Sequence, residues 1–158
     1  MRRKLERTIG IVTASLFLSL FAGSADAADC RRVVGRLSIE LVFCDDSVIG
    51  LCAEARIRGS SPITGTYRFA PKEFALGAGL ATADPNTLSL VDDIEIHTRR
   101  GTLKAEKVGL FNQASGETVA TYQIYEGAYT GVVVASGFFD LNRLHGDGLI
   151  GGRVCKNE

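Results

Sequence analysis

The residues that could do chemistry are mostly single polar side chains set within apolar strands. Lys107 and Gln123 each have apolar residues two or four positions away along the chain, which places each on the same predicted strand face as those residues. A polar group there is either turned outward by a β-bulge or needs a buried partner, since leaving it unpaired costs about 1–3 kcal/mol. With aromatic walls around them, such groups could orient a carbonyl, phenol or epoxide oxygen. The candidate ligand-lining residues are Phe43, Tyr67, Phe69, Lys107, Tyr122, Gln123, Tyr125 and Glu126.

An acidic cluster with one histidine is the next candidate for a site. It comprises Asp92, Asp93, Glu95 and His97. The alternation places the last three opposite two isoleucines, and if these isoleucines face the core, the polar row faces solvent. We therefore expect a plain solvated strand face here.

Two further motifs match known binding patterns in their residue types but lack the surrounding features that those sites need. Residues 146–151 read Gly-Asp-Gly-Leu-Ile-Gly, the dinucleotide fingerprint, but that site needs a following helix N-terminus, and the next residues have β character. Asp140-Leu141-Asn142 begins like a calcium loop, but Leu144 occupies the next ligand position. We expect no cofactor and no metal.

Four cysteines form the remaining group with chemical potential: Cys30, Cys44, Cys52 and Cys155. An even number in an exported chain indicates disulfide bonds, and four cysteines allow three pairings. Zinc is the competing interpretation, but no pair has the C-x-x-C spacing and neither histidine lies near a cysteine in sequence. We expect two disulfides, with free buried thiols as the alternative.

The N-terminal segment has the three-part pattern of a secretory signal peptide. A cationic head precedes an apolar run over 9–22, and Ala25-Asp26-Ala27 offers small residues at both positions that a signal peptidase reads. The apolar run is shorter than the roughly 20 residues that a membrane-spanning helix needs. We expect removal of residues 1–27, which leaves 28–158 as one soluble barrel domain, secreted or periplasmic.

The rest of the chain alternates apolar and polar residues with a period of two, which indicates half-buried β-strands. Turn-forming residues such as Gly59-Ser60-Ser61-Pro62 separate these runs. Residues 71–87 form the one long connection, with room for a single helical turn at Lys72–Leu76. The predicted strands span 33–43, 52–58, 63–70, 90–98, 101–111, 117–125, 130–141 and 148–155.

Eight strands joined mostly by short turns favour an all-β fold: an antiparallel up-and-down barrel of the lipocalin type, since closure removes exposed strand edges. A two-sheet sandwich is the alternative. Closure makes the first and last strands neighbours, which predicts a Cys30–Cys155 disulfide, while Cys44 and Cys52 flank a hairpin connection and can pair locally. A barrel of this size holds packed side chains or one small ligand.

Glycine-rich turns in the second half carry a family resemblance. Gly127, Tyr129 and Gly131 match a G-T-G-x-Y-x-G turn, although Tyr125-Glu126 stands where its first Gly-Thr is usual. A further glycine lies on the next strand, and the last strand ends in cysteine. Residues 44–155 thereby resemble bacterial secreted proteins of the allene oxide cyclase-like and dirigent-like barrel group. The resemblance implies a barrel and a cofactor-free cyclase or isomerase, but it carries no catalytic residue over to this chain.

Composition and charge narrow the functions that remain. The 18 basic residues balance 18 acidic ones without a basic stripe, which gives no support for a nucleic-acid partner. One hypothesis is an exported barrel that binds a small apolar or aromatic molecule, with or without cofactor-free cyclase or isomerase activity. The other is a non-enzymatic envelope or surface barrel with a filled core. A pocket of about 300 Å³ or more with convergent polar groups favours the first.

Overall fold

The structure, a computed structural model, describes residues 29–47, 50–59, 61–70, 73–76 and 85–157, with the backbone alone for 73–76. The predicted signal peptide lies outside the described residues. Within them the chain forms nine β-strands and no helix. The strands are β1 (Cys30–Phe43), β2 (Leu51–Gly59), β3 (Gly65–Phe69), β4 (Glu73–Leu76), β5 (Thr87–Thr98), β6 (Gly101–Asn112), β7 (Glu117–Glu126), β8 (Tyr129–Asp140) and β9 (His145–Lys156).

The strands form one antiparallel sheet that closes on itself. Its order is β3-β2-β1-β9-β8-β7-β6-β5-β4, and β3 also pairs with β5 through Gly65 with Thr98 and Thr66 with His97. Eight strands therefore make a closed barrel, with β4 added on the first half of β5. This confirms the predicted up-and-down barrel over the sandwich.

The expected helical turn near Lys72–Leu76 is wrong for the residues that the structure describes. Residues Glu73–Leu76 form β4, which pairs with β5 from Val91 to Leu88. The physical reason is that β5 begins at Thr87, earlier than predicted, and so leaves backbone groups without a partner on the β3 side. The returning chain satisfies those groups by adding a strand.

Period-two alternation builds the core. On β5, Ile94 and Ile96 point into the barrel, whereas Asp93, Glu95 and His97 point out, as predicted for a solvated row. The same alternation occurs on the other barrel strands, and their inward-facing apolar side chains form one cluster. Its members include Val33, Leu37, Ile57, Ile63, Ile96, Leu103, Ile124, Val133, Ile150 and Val154.

Both predicted disulfides are confirmed. Cys30 on β1 bonds Cys155 on β9, and these residues are also register partners of neighbouring strands. Cys44 bonds Cys52 across the β1–β2 connection. The first bond fastens the two ends of the described chain together at one end of the barrel.

The motifs that matched binding patterns in letters have ordinary structural roles. Residues 146–151 lie within β9 and pair with β1 and β8, so a strand stands where a dinucleotide site needs a helix. Asp140 accepts the backbone N–H of Asn142 at 2.9 Å and so shapes the β8–β9 turn. No group of three or more potential metal ligands occurs among the described residues. In that same part of the chain, no helix has the length and apolar character to span a membrane.

Candidate functional site

One end of the barrel contains a cavity of about 330 Å³. It lies where β1, β3, β6 and β8 end and where β2, β5, β7 and β9 begin, which in an antiparallel barrel is a single end. Its lining reaches the exposed side chains of Phe138 and Leu141, so the cavity opens to solvent. The walls are mostly apolar and include Leu37, Ile39, Leu90, Ala120, Ala135 and Phe139.

The opposite end of the barrel is filled with side chains. The side chains there are almost completely buried: Ile57, Ile63, Ile96, Leu103 and Ile124. These residues belong to the core cluster and do not line the cavity. The barrel therefore combines a packed half, which supplies stability, with an apolar half that is open.

A row of polar side chains lies at the boundary between the two halves. Asp92 on β5 is the register partner of Lys107 on β6, and Lys107 is the register partner of Tyr122 on β7. All three are buried, so the row runs across the inside of three adjacent strands. Tyr67 on β3, a strand that also pairs with β5, reaches the same group through a hydrogen bond with Tyr122. Lys107 and Tyr122 form part of the cavity lining.

Lys107 is held between a carboxylate and an aromatic ring. Its Nζ lies 3.3 Å from Asp92 Oδ2 and 3.3 Å from the centroid of the Phe69 ring. The Lys107 side chain is 5% exposed and that of Asp92 is 0% exposed. Burial lowers the pKa of Lys107 to about 8, because desolvation disfavours the ammonium, while Asp92 acts in the opposite direction. A fraction of Lys107 is therefore an uncharged amine near neutral pH.

Tyr67 and Tyr122 form a buried hydroxyl pair. Their oxygens are 2.7 Å apart, and their rings meet edge to face. Burial raises the pKa of Tyr122 to about 12, and burial followed by the proximity of Tyr122 raises the pKa of Tyr67 well above its ordinary value. Both phenols therefore keep their protons at neutral pH. One proton makes the bond between them, and the second has no acceptor among the described residues.

Asp92 balances the charge of Lys107 but is not satisfied by it. Its Oδ1 is buried and has no hydrogen-bond partner among the described residues. Buried polar atoms are nearly always paired, so an unpaired oxygen on the carboxylate that contacts Lys107 makes Asp92 a candidate site residue. The other oxygen of this carboxylate, Oδ2, is a proton acceptor beside the buried amine.

The structure divides the predicted lining residues into two groups. Tyr67, Phe69, Lys107 and Tyr122 point into the barrel and meet one another there. The other four lie outside, so their placement in the lining is corrected. They are Phe43, Gln123, Tyr125 and Glu126.

Each correction has a physical reason. Phe43 has inward parity, but it is the last residue of β1, beyond the end of its β9 partner, and is 85% exposed. Gln123 and Tyr125 have the outward parity of β7, whose outer face also carries Val119 and therefore looks apolar in sequence. Glu126 ends that strand and forms an exposed ion pair with Lys104, with a 2.7 Å separation.

Asp92 is a candidate site residue that the sequence did not single out. In the sequence it belongs to the acidic cluster of β5, yet it alternates in step with Ile94 and Ile96 and lies on their buried face. That parity was the available signal. The sequence around Asp92 does not identify its partner, because Lys107 lies opposite it only through the pairing register of β5 and β6.

Comparison with known proteins leaves the site to be interpreted from its own geometry. No family model, curated protein or solved structure matches this chain. The resemblance to allene oxide cyclase-like and dirigent-like barrels therefore stays a prediction that rests on the turn residues quoted above. The site itself offers an apolar chamber with an N–H donor and an O–H donor at its floor.

Proposed function

We propose that this protein is an exported β-barrel that binds one small apolar or aromatic molecule in its open half. The observation that carries the proposal is the cavity of about 330 Å³ with Lys107 and Tyr122 in its otherwise apolar lining. This volume lies at the lower end of the range for small-molecule sites. The leader-like N-terminus and the two disulfides support an oxidising location outside the cytoplasm.

The floor of the cavity supports recognition of one oxygen on an otherwise apolar ligand. Lys107 offers N–H donors beyond the one directed at Asp92, and the tyrosine pair has one uncommitted O–H proton. In a desolvated cavity, hydrogen bonds to a ligand oxygen are stronger than in water. A ligand with an apolar body and one carbonyl, phenol or epoxide oxygen fits both parts of the lining.

Cofactor-free cyclisation or isomerisation is the finer part of this proposal. An apolar wall can hold a flexible substrate in one reactive conformer, and the two donors can stabilise charge that develops on its oxygen. The resemblance to allene oxide cyclase-like proteins supports this chemistry. Its test is cyclisation of an allene oxide with and without the protein. Enrichment of one product enantiomer supports turnover, and an unchanged product ratio opposes it.

Binding is tested by titrating the protein with 1-aminoanthracene, a small dye whose fluorescence rises in apolar surroundings. Ala135→Leu, on the cavity wall, should weaken binding about tenfold or more, because the larger side chain occupies ligand volume. The matched control is Val134→Leu, which places the same leucine side chain on the outer face of the same strand and should leave affinity unchanged. Circular dichroism confirms that both variants fold.

The proposal would be overturned if folded, oxidised wild-type protein showed no saturable dye binding and no displacement by phenolics or fatty aldehydes. Equal effects of the two leucine variants would also oppose it, since they would place the dye outside the cavity. The non-enzymatic envelope barrel would then be the better interpretation.

A further inference from the structure

Lys107 differs from the other lysines that the structure describes. The Lys104 side chain is 42% exposed and ion-paired with Glu126, and Lys156 is exposed. Lys107 instead lies at the floor of an apolar cavity that is open to solvent at its other end. A small apolar molecule that enters the cavity therefore meets a primary amine where its body ends.

The groups that face Lys107 come from three strands. Asp92 contacts it from β5 and the Phe69 ring from β3. Tyr122 is its register partner on β7, and Tyr67 on β3 shares a hydrogen bond with the Tyr122 hydroxyl. Asp92 is the one carboxylate among them, so the amine has a single proton acceptor beside it. The two phenols are neutral, and one of their protons is uncommitted. The amine thus has a base in contact with it and an acid on its register partner in the next strand.

These neighbours suit one reaction of amines in particular. An uncharged amine attacks an aldehyde or ketone carbon, and the reaction completes only when the oxygen leaves as water, for which it must be protonated. Burial makes the uncharged form of Lys107 accessible near pH 8. An ordinary surface lysine, with its pKa near 10.4, is almost fully protonated at that pH.

We propose that Lys107 captures aldehydes or ketones with apolar bodies as a reversible imine within the cavity. This inference rests on the proposed ligand-binding function and deepens it by naming the ligand class and the reacting atom. Asp92 acts as the proton acceptor and then as the counter-ion. Tyr122 acts as the proton donor to the departing oxygen.

The step balances without any further reactant. The Lys107 ammonium gives one proton to Asp92, and the Nζ lone pair forms a bond to the carbonyl carbon while the C=O π pair moves to oxygen. The nitrogen then loses a proton and the oxygen gains one through Tyr122, which gives a neutral carbinolamine. The proton held by Asp92 passes to the hydroxyl group, the nitrogen lone pair forms the C=N bond as the C–O bond breaks, and one water leaves. The net change is ammonium plus carbonyl to protonated imine plus water, with the positive charge kept beside Asp92.

The experiment is reductive trapping with 2-naphthaldehyde as the probe. The mature, oxidised protein is mixed with a sub-stoichiometric amount of the aldehyde, treated with cyanoborohydride at pH 7.5 and mapped by peptide mass spectrometry. We expect one naphthylmethyl group per chain, on Lys107. Lys107→Arg keeps a cation beside Asp92 but forms no stable imine and should lose the adduct, whereas Lys104→Arg should retain it.

Tyr122→Phe tests the proton donor separately. This variant keeps the amine, the ring and the cavity wall and removes one hydroxyl. Because general acid catalysis contributes about a hundredfold or more in typical cases, we expect imine formation to be at least about tenfold slower in Tyr122→Phe. The rate is followed through the naphthyl absorbance change, and an unchanged rate would remove Tyr122 from the step.

Failure of the imine and failure of binding give different results. 2-Naphthylmethanol has the same body without a carbonyl, so it competes with 1-aminoanthracene by binding alone. If the alcohol displaces the dye but the aldehyde leaves no adduct on Lys107, the imine is overturned and the binding function stands. If neither compound displaces the dye, the binding function fails as well. Equal labelling of Lys104, Lys156 and Lys107 would also overturn the inference, because it would show ordinary surface reactivity.

Discussion

At Lys107 two opposing effects act on a single ammonium group. Removal from water favours the uncharged amine, and the Asp92 carboxylate favours the ammonium, with the Phe69 ring adding a cation–π contact. Desolvation is the larger effect, so the pKa falls to about 8 from the ordinary 10.5. The same burial acts in the other direction on Tyr122, whose charged form is the deprotonated phenolate. One apolar environment therefore makes the lysine a weaker base and the tyrosine a weaker acid.

The pKa of Lys107 predicts how the free energy of unfolding depends on pH. Between about pH 8 and 10 the folded protein releases the Lys107 proton while the unfolded chain retains it, so stability rises with pH. Above about pH 10 the raised pKa of Tyr122 reverses the trend, because the folded state then holds the extra proton. Urea titrations across this range measure the free energy of unfolding.

The control for this prediction removes the ion pair as a unit. Lys107→Met combined with Asp92→Asn leaves no unpaired buried charge and should lack the rise in stability between about pH 8 and 10. Lys104→Met, which changes an exposed lysine on the same strand, should keep the rise. Parallel stability curves for the wild type and the double variant would contradict the prediction.

At the scale of the strand, glycines decide where neighbouring backbones can approach. Gly131 near the start of β8 has a φ of 151°, and a Cβ there would collide with the backbone oxygen of Arg153 on β9. Gly151 on β9 is different, since the nearest atom to an added Cβ is the Val33 oxygen at an ordinary 3.5 Å. Both are glycines of the same sheet, but only the first is required by its geometry.

This difference predicts unequal effects of the same substitution. Gly131→Ala should destabilise the protein by about 2 kcal/mol or more, through its positive φ and the backbone collision. Gly151→Ala should change stability by about 1 kcal/mol or less. Urea midpoints at equal m-values provide the comparison. Equal losses in the two variants would show that the β8–β9 backbone separation adjusts freely.

At the scale of the whole molecule, two disulfides fasten the barrel in different ways. Cys30–Cys155 spans a sequence separation of 125 and joins the first and last strands of the barrel. Cys44–Cys52 spans a separation of 8 beside the cavity end. Cross-links restrict the unfolded chain more when they close longer loops, so the two bonds differ in expected contribution.

Removing each disulfide as a pair of alanines should show this difference. In the chain-entropy description the 125-residue separation of Cys30–Cys155 corresponds to about 5 kcal/mol, and the 8-residue separation of Cys44–Cys52 to about half of that. Thermal and urea unfolding of the two double variants measure the losses. A larger loss from Cys44→Ala/Cys52→Ala would indicate that local packing at the cavity end outweighs chain entropy.

The elements of this protein were largely predictable because they follow from local alternation. Period-two patterns placed all eight barrel strands, and turn residues separated them. The ninth strand, β4, was missed because its pairing depends on an edge of β5 that alternation does not reveal. The tyrosines at 67 and 122 and Lys107 were identified as site candidates by parity alone. Phe43 alternates with the inward-facing residues, but its side chain is exposed, because only the assembled barrel shows that β1 ends beyond its β9 partner there.

By itself the sequence determined the strands, the closed barrel and both disulfides, because these depend on patterns of a few residues and on the adjacency of the chain ends. The tertiary structure alone decided which inward residues meet. The contacts of Lys107 with Asp92 and Phe69, and of Tyr67 with Tyr122, join four strands whose relative heights are set by register and closure. A shift of two residues in one strand would keep every side chain on its face yet separate the amine from its carboxylate. The cavity is also decided by the tertiary structure, because residues from several strands line it together.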